Sequence, residues 1–525
     1  MSIEAYDTSD PLEEKPPVLS LVESQLQSQE PNVDIFDHYL SAREETKAGE
    51  TVDPALLEEI QTSVRDWIET EGLIDAKPSY ANFDREAVDR RLGKKGLVEF
   101  LSTNYGDVIP KNDLDTTLLF IDTVFLMYEQ GQQAEETPTS LADSTFTFMV
   151  PARTGRNYPE YGKETESVIP ALKYVPHELK TQMMVNLPPF AIDKYIPNEF
   201  GLKGYLVLAP IYEDILHDYK DDPAELGRII MHNVNATVDF AYKSLKSILI
   251  GEGAILPRIT NYGKTINNPN VITTTGHGGT IQAAKYQIEE VVERKLVKID
   301  PESDKPLKVG VLGLGAMGLP FADVLADYFP DYEFVVFDSR QEKIDEAEAT
   351  LKKYGSRMQT AKSAKELIES SNIIVSAVTR KVDLSDMGPD SLEGKVIIDD
   401  SQPGAFDPEA VKARSGMLAW VICRGRGKSP LIKRNDYDYA TMHNATDDLF
   451  PCEAEVASLA ARLKALSEQG LSDEIVRHLV GDLAIRDAVT SEASRRIGEL
   501  FEECGIGPAP FQAFGELVVL PEQNV

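Results

Sequence analysis

Three glycines constrain this chain more than any other feature. Gly313, Gly315 and Gly318 stand in GxGxxG spacing, directly after an apolar run, Leu307 to Leu312, and directly before a helical segment, Ala316 to Tyr328. A strand that turns straight into a helix uses the first glycine for the tight turn. The second lets backbone approach a pyrophosphate, and the third lets the helix lie close to the strand. Asp338 ends the next apolar run, Glu333 to Phe337, 20 residues past Gly318. A carboxylate there can accept both ribose hydroxyls of an adenosine, which favours NAD(H), while Ser339 and Arg340 leave room for the 2′-phosphate of NADP(H). Gly313, Gly315, Ala316, Met317, Gly318, Asp338, Ser339 and Arg340 are therefore candidate cofactor contacts. The competing reading of the glycines is a structural turn in a sheet that binds nothing.

The pattern continues downstream. Ile373 to Val378, Val396 to Ile398 and Leu418 to Ile422 read as buried parallel strands separated by helix-length segments. Residues 306–440 are thus expected to form a doubly wound, Rossmann-type α/β domain. Thr379 and the loop Asp400 to Gly404 fall at the carboxyl edge of such a sheet, where ligands gather.

A second α/β unit is expected over residues 141–297, as a substrate or catalytic domain. Phe146, Phe148 and Val150 alternate as a half-buried strand, and Tyr205 to Ala209 and Ser247 to Ile250 read as further strands. Between the last two lies an amphipathic helix carrying Ile229, Ile230, Val234, Val238, Ala241 and Leu245. Val271-Ile272 feeds a glycine-rich turn, Thr273 to Thr280, and then a helix to about Lys295. Residues 441–525 read as helices completing the catalytic domain, one from Pro451 to Ser467 and a long one from Glu474 to Cys504, stopped by Gly505.

Residues 1–140 form an acidic, helical extension. The first 50 residues carry 12 acidic and 3 basic side chains, too polar to collapse alone. Asp53-Pro54 opens a helix with Leu56, Leu57, Ile60, Val64, Trp67 and Ile68 on one face, and a second helix runs from Asp113 to Glu129. Their apolar faces must rest on the rest of the chain or on a second copy of it, so a homo-oligomer is compatible. Gln130 to Asp143 reads as a linker.

Charge and cysteines exclude several classes. A formal charge of -34 over 525 residues repels nucleic acid and anionic membranes, and favours a small ligand or a basic partner. Cys423, Cys452 and Cys504 form no C-x-x-C pair, which argues against a disulfide framework or zinc cluster. No basic, apolar leader opens the chain, and its most apolar stretch, Leu118 to Met127, is broken by Asp122. A transmembrane helix is not expected, and a reducing cytoplasm is the default compartment.

Four stretches also resemble a known family: FTFMVPAR from Phe146, GEGAILPRIT and VITTTGHGGT within Gly251 to Thr280, the glycine-loop segment with VIIDDSQP from Val396, and LFPCEAE from Leu449. In this order, over residues 140–515, the chain resembles the cyanobacterial long-chain acyl-ACP reductases and their related dehydrogenases. The resemblance implies a cysteine that takes an acyl group from a carrier thioester, then NADPH-dependent release of an aldehyde. Cys452 matches that cysteine and Glu455 the acid one turn later. The chain departs from the family at Asp338, where a basic or polar residue is usual, in the loop sequence GLGAMG, and at Cys423-Arg-Gly-Arg-Gly.

Thiol chemistry suits that reaction because exchange between two sulfurs is nearly balanced, and an acyl-enzyme can wait for hydride. Pro451 places Cys452 in a first helical turn, whose dipole favours a thiolate, whereas Asp447, Asp448, Glu453 and Glu455 oppose one if near. His277 and His443 are candidate proton donors, and Lys264 a candidate oxyanion partner. Each also has an ordinary reading as a core or solvated side chain. The backbone donors of the Thr273 to Thr280 turn could hold a phosphate, a carboxamide or an oxyanion, or could simply cap a helix. Cys423 and Cys504 read as structural. Acyl carrier protein or acyl-CoA is the implied partner, and Arg424, Arg426, Lys428, Lys433 and Arg434 form a basic run that could meet an acidic carrier.

Two other functions fit. The GLGAMG loop suggests a dehydrogenase of small hydroxy acids, although the helix-like segment Val480 to Arg496 lacks the lysine such enzymes carry after their Rossmann domain. A nucleotide-sensing scaffold without turnover is the third.

Overall fold

The computed structural model describes residues 94–133, 140–153, 165–196, 202–212, 215–219, 222–298, 306–378, 380–401, 404–425, 433–434, 448–513 and 516–518. The expected helix from Asp53 and the acidic tail before it lie outside the described residues.

Two six-stranded sheets organise the described residues. The first contains β1 (Thr145–Ala152), β2 (Phe190–Ile196), β3 (Gly204–Tyr212), β4 (Ser247–Glu252) and β5 (Ile272–Thr274). Strands β3, β1, β4 and β5 run parallel, while β2 is antiparallel to β3. β1 was expected to be buried on one face; all of it except Val150 is buried. The reason is tertiary. The helix Pro223–Leu245 sets Ile229, Ile230, Val234 and Val238 against Met149, Ala209 and Ile250 on one face. On the other, the helix Pro451–Glu468 comes so close to β4 that a Cβ at Gly251 would lie 2.8 Å from Val456. Alternation is lost when helices cover both faces of a parallel sheet.

The second sheet contains β6 (Lys308–Leu312), β7 (Glu333–Phe337), β8 (Met358–Thr360), β9 (Ile373–Ser376), β10 (Val396–Asp399) and β11 (Met417–Trp420). All are parallel, in the order β11-β10-β9-β6-β7-β8. This is the doubly wound order, with its crevice where the winding reverses between β6 and β9. β8 carries no apolar run because it is an edge strand, so periodicity does not reveal it.

The remaining elements bind the sheets together. The helix Lys111–Gln133, predicted from Asp113, rests on its own chain, with Phe120 edge-on to Phe190 of β2 at 4.9 Å between ring centroids. The helix His277–Glu293 spans both halves, Gln287 Nε2 donating to the Trp420 carbonyl at 2.6 Å and Gln282 Nε2 to the Ser494 carbonyl at 2.8 Å. After β11 the chain leaves the parallel sheet, and β12 (Cys423–Gly425) pairs antiparallel with β14 (Asp448–Leu449) and β15 (Ile506–Pro508). Between them, β13 (Lys433–Arg434) crosses over to pair with β2 in the first sheet.

The long helix expected from Glu474 to Cys504 is two helices, Asp473–Gly481 and Ser491–Glu503. The intervening segment replaces its helical bonds with tertiary ones. Thr275 N donates to the Ile485 carbonyl at 2.9 Å, and Ile485 N to Thr274 Oγ1 at 3.0 Å. Thr490 then caps the second helix by accepting from Ala493 N at 3.1 Å. Satisfied backbone makes such a break affordable.

Candidate active site and dinucleotide cleft

The three glycines of the loop each do something different. Gly313 has φ +89°, and a Cβ there would sit 2.6 Å from the Ala377 carbonyl oxygen. At Gly318 a Cβ would fall 1.7 Å from the Gly313 carbonyl oxygen, so only glycine lets the helix Gly318–Tyr328 begin against the turn. A Cβ at Gly315 would meet nothing within 4 Å, so this glycine faces open space. The N-cap residue of that helix, Met317, makes no side-chain hydrogen bond to its first turn. Open space before uncapped backbone N–H groups is what a pyrophosphate requires.

Asp338 directly follows β7, at the position where an adenosine ribose would lie. It accepts from Leu314 N at 2.8 Å and from Arg340 N at 2.9 Å, and the Arg340 guanidinium reaches it at 3.1 and 3.2 Å. Burial alone would raise its pKa, but the Arg340 side chain and these backbone donors outweigh that and hold the carboxyl below its ordinary value. Asp338 is buried beneath exposed Ser339 and Arg340. These residues fit the adenosine ribose of either nucleotide: Asp338 for a diol, Arg340 for a 2′-phosphate.

From the loop, a cleft of about 1280 Å³ runs between the two sheets and reaches Cys452. Its walls include Gly313, Gly315, Ala316, Met317, Asp338, Ser339 and Arg340 on one side, and Glu252, Thr275, His277, Pro451 and Cys452 on the other. The split C-terminal helix adds Ala488 and Val489.

Cys452 sits in the first turn of its helix, half-buried. Gly276, at φ +72°, lies so close that a Cβ there would be 2.1 Å from the Cys452 Cβ. Burial pushes the thiol pKa well up, and Asp400, Glu453 and Glu455 push it further, against one backbone hydrogen bond from Glu453. Burial first, and these carboxylates after it, therefore disfavour the Cys452 thiolate despite the helix terminus. Attack on a carbonyl requires a proton acceptor nearby.

Backbone donors of the glycine-rich turn are taken by Glu455. Glu455 is fully buried, accepts from Gly279 N at 2.7 Å and from the Thr274 hydroxyl, and is also bonded by Gly276 and Gly278. Burial raises its pKa to about 7 despite these donors. The acid one turn after Cys452 thus caps the helix bearing His277 and fixes Gly276 against the thiol.

His277 lines the cleft, buried, with Nδ1 unpartnered among the described residues and its ring edge-on to Tyr262 at 5.8 Å between centroids. Burial lowers its pKa to about 4, so the ring is neutral. Lys264 is not among the lining residues; its ammonium pairs with Asp487. His443 and Thr379 lie outside the described residues. Of the basic run, Arg424 is engaged by buried Asp448, while Arg426 and Lys428 lie outside the described residues. Cys423 is buried in β12, and Cys504 is half-buried beside Ser458. Among the described residues no group of three or more His, Cys, Asp or Glu could hold a metal ion, and no helix is long and apolar enough to cross a membrane.

Sequence reasoning missed Glu252, at the end of β4. It is buried, lines the cleft and accepts from the Thr260 hydroxyl. Burial raises its pKa to about 7. An acid at the carboxyl end of a parallel strand was the available signal.

Glycine loop, adenosine acid and sheet order define an NAD(P)-binding Rossmann domain of the oxidoreductase kind. Residues 308–414 match the family described as the NAD binding domain of 6-phosphogluconate dehydrogenase. No curated protein matches the chain. Among solved structures it is similar to L-tryptophan dehydrogenase from Nostoc punctiforme, at 14% identity over 70% of this chain and 90% of that one, with a TM-score of 0.26. It is also similar to a dipicolinate synthase from Bacillus halodurans, at 16% identity over 32% and 56% with a TM-score of 0.22. A third is D-lactate dehydrogenase from Escherichia coli, at 13% over 35% and 63% with a TM-score of 0.20. The chain spans less than two thirds of the length of the latter two.

Proposed function

We propose that this protein is an NAD(P)H-dependent reductase of acyl thioesters, acting in the cytoplasm on acyl carrier protein or coenzyme A esters and releasing an aldehyde through an acyl-enzyme on Cys452. The observation that carries this reading is that Cys452 opens onto the same cleft as the glycine loop. A half-buried thiol with no disulfide partner has little structural reason to face a dinucleotide cleft, and a thioester is the carbonyl compound that a sulfur nucleophile exchanges with most readily.

The Cys452 sulfur attacks the thioester carbonyl carbon, a carbon–sulfur bond to the enzyme forms, and the bond to the carrier sulfur breaks. The carrier leaves as a thiol. When bound, the nicotinamide supplies the hydride that reduces the acyl carbon. Collapse then frees the aldehyde and restores the Cys452 sulfur, which regains a proton from solvent. His277, neutral and with Nδ1 unpartnered among the described residues, offers the substrate oxygen a hydrogen bond in the tautomer that places the proton there. Gly276 and Glu455 position the sulfur and this ring.

Intact-mass analysis after mixing the protein with acyl-carrier or acyl-CoA thioesters, without reductant, tests this. An acyl adduct on Cys452 is expected, discharged as aldehyde by NADH or NADPH and absent in Cys452→Ala. An unmodified protein across several chain lengths overturns the reading.

The match of residues 308–414 to a hydroxy acid dehydrogenase's cofactor domain favours a second reading, oxidation of a small hydroxy acid. Cys452→Ala separates the two, because that chemistry needs no thiol.

A further inference from the structure

The thioester reading leaves the proton on Cys452 without an acceptor, and Glu252, on the wall of the same cleft, is an acid that can supply one. It ends β4 at the carboxyl edge of the first sheet, beside β1 and β5. Its side chain is 1% exposed and lines the cleft with Cys452 and His277. One oxygen accepts from Thr260, and Oε1 has no partner among the described residues. An unpaired carboxyl oxygen in a closed site is costly unless something arrives to use it.

The chain also clears space around this oxygen. Gly263 has φ +75°, and a Cβ there would lie 2.7 Å from Glu252 Oε1 and 2.9 Å from Thr273 Oγ1. Gly276 does the same for Cys452. Two left-handed glycines thus each make room for one of the two groups.

We infer that Glu252 is the proton-transferring carboxyl of this cleft: its free oxygen takes the Cys452 thiol proton as sulfur attacks the acyl carbon, then returns that proton to the departing carrier sulfur. The exchange is balanced, with one proton leaving one sulfur and reaching another, directly or through a water. Glu252 suits it better than His277 does. Burial leaves the histidine a weak base, with a pKa of about 4, whereas it raises the carboxyl to about 7, near working pH. The charged group acting on Glu252 is Arg486, in the segment between the helices Asp473–Gly481 and Ser491–Glu503, which favours its ionised form; Arg258 and Asp400 line the same cleft.

The inference rests on the thioester reading, so the test reads the thiol with and without a thioester. In the full-length protein, alkylation of Cys452 by iodoacetamide is followed by peptide mass spectrometry from pH 5.5 to 9, beside acylation by acyl-CoA. The wild-type rates are expected to bend near pH 7. Glu252→Gln should lower both at pH 7.5 by roughly 100-fold and remove the bend, leaving a rate that climbs tenfold per pH unit. Glu252→Asp should restore the bend and part of the rate. A merely structural carboxyl would lower rates without removing the bend. An unchanged profile in Glu252→Gln, or in Glu252→Ala should the first variant not fold, overturns the inference. If alkylation depends on Glu252 while no thioester modifies Cys452, the carboxyl–thiol pair stands and the thioester reading falls. If acylation proceeds in Glu252→Gln as in wild type, the reverse holds.

Discussion

Gly315→Ala separates the loop's role in folding from its role in binding. The added methyl points into space with no heavy atom within 4 Å, and the residue does not have a positive φ, so the folded protein has no reason to notice it. Stability is expected to change by less than about 0.5 kcal/mol, as for surface substitutions. A bound pyrophosphate would notice it, because the methyl occupies the gap through which backbone N–H groups reach the phosphates. Each charge-assisted hydrogen bond lost costs about 1.5–3 kcal/mol, so losing one or two costs ~3 kcal/mol, roughly a 100-fold rise in Kd. Titration of NADH and NADPH by fluorescence gives the Kd, and thermal unfolding gives the stability. Gly318→Ala is the contrasting control: its methyl would sit 1.7 Å from the Gly313 carbonyl oxygen and should lower stability by at least about 1–3 kcal/mol. If Gly315→Ala binds both nucleotides as the wild type does, the cradle is not where the pyrophosphate lies, and the cofactor geometry is wrong.

Arg340→Ala releases the two Asp338 oxygens that the guanidinium now holds, so NADH should bind more tightly relative to NADPH, and an unchanged preference would remove Arg340 from cofactor selection. Gly276→Ala forces a Cβ to within 2.1 Å of the Cys452 Cβ at φ +72°; a loss of about 2–4 kcal/mol in unfolding free energy and slowed alkylation of Cys452 are expected, and a neutral result would show that the turn can retreat. Glu252 and Glu455 both have folded pKa values near 7, above the ordinary glutamate range. The native state therefore binds more protons than the unfolded chain between these limits, and stability, full at low pH, falls as pH rises through about 7. Each group contributes a slope of at most about 1.4 kcal/mol per pH unit. Melting temperatures measured from pH 5.5 to 8.5 should fall, and less steeply in Glu455→Gln; a flat wild-type profile would contradict the burial of both acids.

The Rossmann half was legible because its rules are local. A strand, a turn and a helix that must meet within a few residues leave glycines where only glycine fits, and Asp338 follows from strand length. The first sheet was half legible. β1, β3, β4 and the helix Pro223–Leu245 carry apolar runs, but β2 was not singled out, and the alternation in β1 suggested a wet face that tertiary packing covers. The edge strand β8 and the two-residue β13 had no hydrophobic signal to give. Cys452 drew attention through a resemblance, whereas Glu252 went unnoticed because an acid after an apolar strand looks like a strand end.

By itself, the order of residues settled where a nucleotide loop must form, that parallel sheets would dominate, and which cysteine stands at a helix start, since each depends on neighbours along the chain. What it left open depended on distant segments meeting. Whether the Cys452 thiolate is favoured, which burial decides more than its helix terminus, and whether the Thr273 to Thr280 donors are free or taken by Glu455, were settled when a C-terminal helix packed against a turn some 180 residues earlier. The same holds for the break at Ile485, which needs the Thr274–Thr275 backbone as partner. Electrostatics and burial act through space, and only the tertiary structure fixes who is adjacent.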